Sequence, residues 1–109
     1  MSYIAVLSTI DNIEKAKEIS HLLLEDGCAA CINIIPQINS IYLWKGNVVE
    51  DCEYLMLIKT RKEFFEQVKL IISEHHSYEV PEIIALDITK GLPEYFSWID
   101  FSLTLNRRK

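Results

Sequence analysis

Two adjacent histidines, His75 and His76, stand in the stretch HHSYEVPEII and are the side chains best suited to bind a metal ion. Neutral imidazole is a common ligand of Cu(II) and Zn(II). Neighbouring side chains diverge by about 100° on a helix and point to opposite faces of a strand, so adjacent imidazoles rarely chelate one ion unless the backbone turns between them. Two histidines also leave such a site short of ligands. The alternative interpretation is that the pair ends a helix and interacts with its last carbonyl groups.

A second group of chemically capable side chains is aromatic and charged. Tyr42 and Trp44 are two residues apart in SIYLWKG, so they share one face of a predicted strand just before a turn. Together with Glu53, Lys59 and Tyr78 they could line a ligand cleft between subunits. The other possibility is that they pack as anchors of a subunit interface.

The cysteines Cys28, Cys31 and Cys52 are interpreted as reduced thiols. The C-x-x-C spacing of the first two is typical of redox and soft-metal sites, but these cysteines follow the predicted end of a helix, where the dipole does not stabilise a thiolate. The N-terminal residues lack the features of an export signal, and no uncharged stretch is long enough to span a membrane. We therefore expect a cytoplasmic protein with structural thiols and no membrane contact.

Composition excludes several classes of function. Eleven Lys and Arg against 16 Asp and Glu give a net charge of -5, so we expect no nucleic-acid partner. Only three glycines are present, too few for a Gly-rich phosphate loop, so no nucleotide or other organic cofactor is expected. Because no acid-base pair with a defined pocket can be recognised, we expect no enzymatic activity.

The pattern of apolar residues predicts four strands and three helices. The predicted strands cover residues 3–10, 30–44, 48–59 and 83–88. A first helix is expected to begin at Asp11, with Glu14 three residues on, and to stop at Gly27. Pro36 predicts a bulge or bend in the second strand, since proline cannot donate to a strand ladder.

The remaining boundaries follow from turn and cap residues. Residues 45–47 predict the turn of a long hairpin, and Thr60 with Glu63 predicts a capping box that opens a second helix. That helix should end near the histidine pair. A short last helix is expected over residues 92–103, with a proline in its first turn.

The order βαββαβ plus a tail helix predicts an α+β, ferredoxin-like sandwich in one domain of residues 1–109. Both long helices then cover one face of the sheet and leave the other bare. The strands are nevertheless apolar on both faces, as in YIAVL and EYLMLI. We therefore expect other copies of the chain to cover the bare face.

Two stretches, AACINIIPQINSIYLWKGNVVEDCEYLMLIKT and HHSYEVPEIIAL, closely resemble the CutA family, also called CutA1 divalent-cation tolerance proteins. The resemblance implies a ferredoxin-like subunit in a stable homotrimer with a shape similar to PII signalling proteins. It also implies a link to copper and divalent-cation tolerance. In the copper-binding assignment known for the family, a cysteine of the first strand joins the two histidines, and Ser8 stands at that position here.

The leading hypothesis is thus a homotrimer of the CutA type that binds Cu(II) or another divalent metal weakly through His75 and His76. The alternative is a PII-like sensor that binds a small anion or metabolite in intersubunit clefts lined by Trp44, Lys59 and Tyr78. The second helix is expected to run antiparallel to the first strand, which would place the histidines near the start of that strand and far from Ser8. A metal site that used both regions would then have to form between subunits.

Overall fold

The computed structural model describes residues 2–106, with side chains described through residue 103. The strands are β1 (Tyr3–Ile10), β2 (Cys31–Trp44), β3 (Asn47–Arg61) and β4 (Ile84–Ile88). The helices are α1 (Ile13–Asp26), α2 (Phe65–His75) and α3 (Pro93–Asn106). The strands form one antiparallel sheet in the order β2-β3-β1-β4. This confirms the predicted α+β, ferredoxin-like topology.

The core lies between one face of the sheet and the helices α1 and α2. Burial alternates along β1, where Ile4, Val6, Ser8 and Ile10 are buried and the residues between them are only half-buried. A strand turns successive side chains to opposite faces, so these four residues face the helices. The helices contribute their own buried residues, which are Ala16, Ile19, Ser20, Leu23, Val68 and Ile72.

Helix α1 begins one residue later than predicted. Asn12, not Asp11, is its N-cap: its backbone is extended (φ -137°, ψ 121°), and its side-chain oxygen accepts a hydrogen bond from the amide of Lys15 at 2.9 Å. An N-cap side chain accepts from an amide two or three residues on, and in this structure Asn12 makes that bond. The predicted stop at Gly27 is confirmed, with a left-handed φ of 80°.

The predicted capping box at Thr60 and Glu63 does not form. Strand β3 continues to Arg61, and a single 3-10 turn at Lys62–Phe64 precedes α2. Thr60 is buried in the strand, and its hydroxyl donates to the backbone oxygen of Cys28 at 2.7 Å. Thr60 does not cap the helix because it lies within β3, whereas the N-cap position of α2 is Phe64.

The long hairpin of β2 and β3 was predicted correctly, including its irregularity after Ile35. The register shifts between Ile35 and Ile38, which is the bulge expected at Pro36. The chain reverses at Lys45 and Gly46, whose φ values are 53° and 83°. Two consecutive positive φ angles are typical of the tight two-residue turn that matches the twist of a hairpin.

Helix α3 covers one end of the bare face of the sheet. Tyr3 lies on this face, stacks on Phe96 with ring centroids 4.3 Å apart, and donates to Asp100 at 2.8 Å. Farther along the same face, Ile84 and Leu86 of β4 remain 48% and 54% exposed. The chain alone therefore leaves much of this apolar surface in contact with solvent.

None of the described helices combines the length and the apolar character that crossing a bilayer requires.

Candidate functional site

His75 is the last residue of α2, as the helix-end interpretation predicted. Its Nδ1 lies 2.9 Å from the backbone oxygen of Ile71. A carbonyl oxygen only accepts hydrogen bonds, so Nδ1 is the protonated nitrogen and Nε2 carries the free lone pair. Histidines that bind metals commonly donate their other ring N–H to a carbonyl in this way. The half-buried His75 is therefore oriented to offer Nε2 as one metal ligand.

His76 has a different environment because the chain turns to an extended conformation there (φ -74°, ψ 146°). Its Nε2 lies 2.8 Å from the backbone oxygen of Thr9, and its Nδ1 accepts a hydrogen bond from the amide of Tyr78 at 3.0 Å. Both ring nitrogens are thus engaged within the protein. A metal ion could bind His76 only by displacing one of these hydrogen bonds.

The contact between His76 and Thr9 also corrects the predicted direction of α2. Thr9 is near the end of β1, so the C-terminus of α2 lies at the end of that strand and not at its start. The helix runs parallel to β1 because β3, which precedes it, is antiparallel to β1 and delivers the chain to the start of β1. The distance argument for a site divided between subunits was therefore wrong.

Ser8 is enclosed by the core. Its side chain is 0% exposed, faces the helices, and its Oγ has no hydrogen-bond partner. A residue at this position is not open to a metal ion from solvent in this conformation. Within the part of the chain whose side chains are described, no three His, Cys, Asp or Glu residues are arranged to hold a metal ion.

A cleft of about 930 Å³ lies on the bare face of the sheet, between the outer part of the hairpin and the segment that follows α2. Tyr42 and Trp44 of β2, Glu53 of β3 and Tyr78 all line it. The predicted grouping of these four side chains is therefore found within a single chain. β2 and β3 can reach this region because both strands extend beyond the end of β1.

Lys59 does not join the cleft in a single chain. Its Nζ lies 3.4 Å from the hydroxyl oxygen of Tyr95 and 5.6 Å from the centroid of that ring, beside α3. Six residues of strand separate Lys59 from Glu53, which corresponds to about 20 Å. Lys59 and Glu53 therefore belong to different sites of one chain, and the predicted cleft between subunits that includes both stays a prediction.

The cleft is strongly acidic. Its lining includes the carboxylates Asp51, Glu53, Glu79 and Glu82, and no Lys, Arg or His among the described residues lines it. Sequence reasoning missed Asp51 as a lining residue. The signal was the two-residue spacing to Glu53, which puts both carboxylates on one face of β3.

Two tyrosines bind two of these carboxylates. The hydroxyl of Tyr78 donates to Glu53 at 2.6 Å, and that of Tyr42 donates to Asp51. Burial, followed by the hydrogen bond to Glu53 and the nearby negative charge, raises the pKa of Tyr78. The hydrogen bond to Asp51 is the main cause that raises the pKa of Tyr42. Both phenols therefore stay neutral donors across the physiological pH range.

The cysteines are all free thiols. Cys28 is buried, its Sγ lies 3.6 Å from the backbone oxygen of Leu23, and burial raises its pKa to about 12. Such a thiol is a poor nucleophile and a poor metal ligand. This agrees with the structural interpretation of Cys28, while Cys52 lies exposed on β3.

Residues 4–102 match the family described as CutA1 divalent ion tolerance protein. The "Divalent-cation tolerance protein CutA" of Thermus thermophilus is 46% identical over 94 residues, which are 86% of this chain and 91% of that relative. The chloroplastic protein CutA of Arabidopsis thaliana is 41% identical over 88% of this chain. The chain spans only 53% of that plant relative's length.

Solved structures show the same fold. The crystal structure of CutA1 from Oryza sativa has a TM-score of 0.90 and 37% identity, with 94% of each chain covered. The structure of the "periplasmic divalent cation tolerance protein CutA" from Archaeoglobus fulgidus has a TM-score of 0.89 and 38% identity, with 93% of this chain and 98% of the other covered.

Proposed function

Because this chain belongs to the CutA1 divalent ion tolerance family, we propose that it binds a divalent cation, Cu(II) or another divalent metal, as a homotrimer. The observation that carries this proposal is the orientation of His75. Its Nδ1 is held by the backbone oxygen of Ile71, which leaves Nε2 available. His76 supports the site indirectly, by fixing the segment after α2 against the end of β1.

One chain supplies too few ligands for a tight site. Among residues 2–103 no further His, Cys, Asp or Glu side chains complete a metal-binding group. The remaining ligands must come from water, from a counterion or from another copy of the chain. A site of this kind is expected to bind weakly, since each imidazole contributes only one bond.

The exposed apolar surface supports assembly into a homotrimer. Leu43 and Val48, near the tip of the hairpin, are 71% and 69% exposed, and Ile84 and Leu86 lie open on the bare face of the sheet. These residues form two separate exposed apolar patches, and such patches commonly mark an interface. The trimer itself is the assembly that the family resemblance implies.

Light scattering coupled to gel filtration tests the homotrimer. We expect three times the chain mass of 12.7 kDa, and a monomer at micromolar concentration contradicts the proposed assembly.

Titration calorimetry with CuCl2 and with ZnCl2 tests the metal site. We expect His75→Ala to weaken binding at least tenfold. His21→Ala is the matched control, because His21 is exposed on α1 and has no described hydrogen bond. His76→Ala should mainly lower the melting temperature. Equal affinity in the wild type and in His75→Ala overturns the proposed ligand.

The sensor hypothesis with a small anion has less support. A cleft lined by Trp44 and Tyr78 exists in the single chain, but it lacks Lys59, four carboxylates line it, and no described basic residue does. An anion would therefore be repelled. The expectations that the protein is cytoplasmic and not an enzyme stay predictions, and the name of the Archaeoglobus fulgidus structure describes that relative as periplasmic.

A further inference from the structure

We propose that the cleft on the bare face of the sheet receives Lys59 of a neighbouring copy of the chain, whose ammonium group pairs with Glu53 and Asp51. This inference rests on the proposed homotrimer and names the side chains that would fix the order of its subunits. The occupant of the cleft is then a second copy of the chain and not a small ligand.

Two unlike patches lie on the bare face of β3. Glu53 and Lys59 are six residues apart, an even number, so both side chains point to the same face of the strand. Glu53 lines the cleft, whereas Lys59 lies beside Tyr95 of α3. About 20 Å of strand separates the two patches. One chain is therefore unable to bring them together, but two copies can.

The two patches carry opposite charges. Asp51 and Glu53 are two of the four carboxylates that line the cleft, and no described basic residue lines it. Lys59 takes part in none of the ion pairs among the described residues, and the polar group nearest to its Nζ is the hydroxyl of Tyr95 at 3.4 Å. Complementary charges of this kind select the partner surface and fix the register of an interface.

Both charges are partly withdrawn from water in the single chain. The side chain of Glu53 is 5% exposed, and its Oε2 accepts a hydrogen bond from Tyr78, whose neutral hydroxyl does not offset the charge. Lys59 is half-buried. Removing a charge from water costs less when an opposite charge is beside it, so contact between the two patches lowers the cost for both groups.

Exposed aromatic side chains surround both patches. Tyr95 and Trp98 flank Lys59 with ring centroids 5.5 Å apart, and they are 38% and 43% exposed. Tyr42 and Trp44, which line the cleft, are 42% and 60% exposed. Aromatic residues are enriched in the buried centre of interfaces. The cleft has about 930 Å³, a volume that holds a whole small molecule in other proteins, so it has room for more than one side chain.

A contact between unlike patches joins copies head to tail. Each copy gives Lys59 to one neighbour and receives the Lys59 of another neighbour in its own cleft. Head-to-tail contacts produce a closed ring when the rotation between copies permits it. In the proposed homotrimer the same ion pair would therefore form three times.

Cross-linking of the wild-type protein with a carbodiimide tests the contact, because this reagent joins an amine to a carboxyl group only where the two touch. We expect an amide between Lys59 and Glu53 or Asp51, identified by mass spectrometry of the digested cross-linked species. The distance along β3 prevents this amide from forming within one chain. Lys59→Arg is the matched control, since it keeps the positive charge and should keep the oligomer but lose the cross-linked peptide.

Sedimentation equilibrium of charge variants tests whether the pair contributes to assembly. We expect Lys59→Gln to raise the dissociation constant of the oligomer at least tenfold in the wild-type background and less than twofold in a Glu53→Gln background. Lys90→Gln, which removes an exposed positive charge after β4, should leave the constant unchanged.

The outcomes distinguish this inference from the proposed homotrimer. A trimer that gives no amide between Lys59 and the cleft overturns the inference and leaves the trimer in place, whereas a monomer overturns both. The inference is also overturned if Lys59→Gln weakens assembly equally in the two backgrounds, or if Lys90→Gln weakens it as much as Lys59→Gln does.

Discussion

At the scale of single residues, Ser8 has an unsatisfied hydroxyl in the core. The group is 0% exposed and without a hydrogen-bond partner. Leaving a buried polar group unpaired costs about 1–3 kcal/mol. We therefore predict that Ser8→Ala raises the free energy of unfolding, by up to about 1 kcal/mol once the small loss of packing is included. Urea denaturation monitored by circular dichroism measures the change.

Thr60→Val is the matched control for Ser8→Ala. Thr60 is equally buried, but its hydroxyl donates to the backbone oxygen of Cys28 at 2.7 Å. Removing this hydrogen bond should lower the free energy of unfolding by about 1–2 kcal/mol. If both variants change the free energy of unfolding in the same direction, then the presence or absence of a hydrogen bond to the hydroxyl does not explain the effect of removing it.

Tyr78 should stabilise the cleft through its hydrogen bond to Glu53. A hydrogen bond to a charged group contributes about 1.5–3 kcal/mol, so we predict that Tyr78→Phe lowers the free energy of unfolding by that amount at neutral pH. Tyr54→Phe is the control, since Tyr54 packs against the core without a described hydrogen bond of its hydroxyl. Equal losses in the two variants contradict the role assigned to the hydroxyl of Tyr78.

The raised pKa of Tyr78 also predicts a pH dependence. The folded protein keeps this phenol protonated above the pKa of an unfolded tyrosine, which is about 10, because burial and the hydrogen bond to Glu53 favour the neutral form. The contribution of Tyr78 to stability is present below that pH and is lost as pH rises toward its folded pKa. Unfolding measured between pH 8 and 11 should therefore show a smaller loss of stability in Tyr78→Phe than in the wild type.

The local role of a residue was easier to predict from the sequence than which distant residues lie next to it in the fold. The sequence identified His75 as a helix-ending histidine and grouped Tyr42 with Trp44 because those conclusions depend on local geometry. Within one chain Lys59 lies apart from this group because the length of β3 separates its ends, and its place in a cleft between subunits stays a prediction. The position of Ser8 relative to the histidines was also misjudged, since it depends on the direction of α2 relative to β1.

At the scale of elements, the start of α1 depends on a single cap. The side chain of Asn12 accepts from the amide of Lys15, whereas Asp11 makes only a 3.4 Å contact with the hydroxyl of Ser77. We predict that Asn12→Ala lowers the free energy of unfolding by about 1 kcal/mol, and that Asp11→Ala changes it by less than half as much. Thermal unfolding of both variants decides which residue is the cap.

Local sequence signals located most element boundaries to within one or two residues. The bulge after Ile35 and the stop at Gly27 were predictable because proline and glycine restrict or permit specific backbone angles. The start of α2 was not predictable from local sequence. Threonine is common both as a helix N-cap and within strands, so the residue type of Thr60 does not decide between the two. A hydrogen bond to Cys28, distant in sequence, decides between the two.

At the scale of the whole molecule, assembly should depend on the outer part of the hairpin. Trp44 is 60% exposed in the single chain, an unusual position for so large an aromatic side chain. We predict that Trp44→Ala shifts the proposed trimer toward monomer, with a loss of about 2 kcal/mol or more, as is typical of an interface anchor. Sedimentation velocity over a range of concentrations measures the shift.

Leu70→Ala is the control for the assembly prediction. Leu70 is also well exposed, at 57%, but it lies on α2, on the helical side of the sheet. Its truncation should leave the oligomer unchanged. A Trp44→Ala protein with the same mass distribution and melting temperature as the wild type shows that the indole only borders the cleft.

The central position of β1 in the sheet has a consequence for how the chain folds. This strand is made first, yet its partners β3 and β4 are the third and last strands of the sequence. During synthesis β1 has two open edges until Asn47–Arg61 has emerged, because β2, the next strand along the chain, pairs with β3 and not with β1. Closing such long loops slows folding, and an unpaired apolar strand is prone to aggregation. A nascent or truncated chain that ends before Ile84 would keep one edge of β1 open and should depend on chaperones to remain in solution.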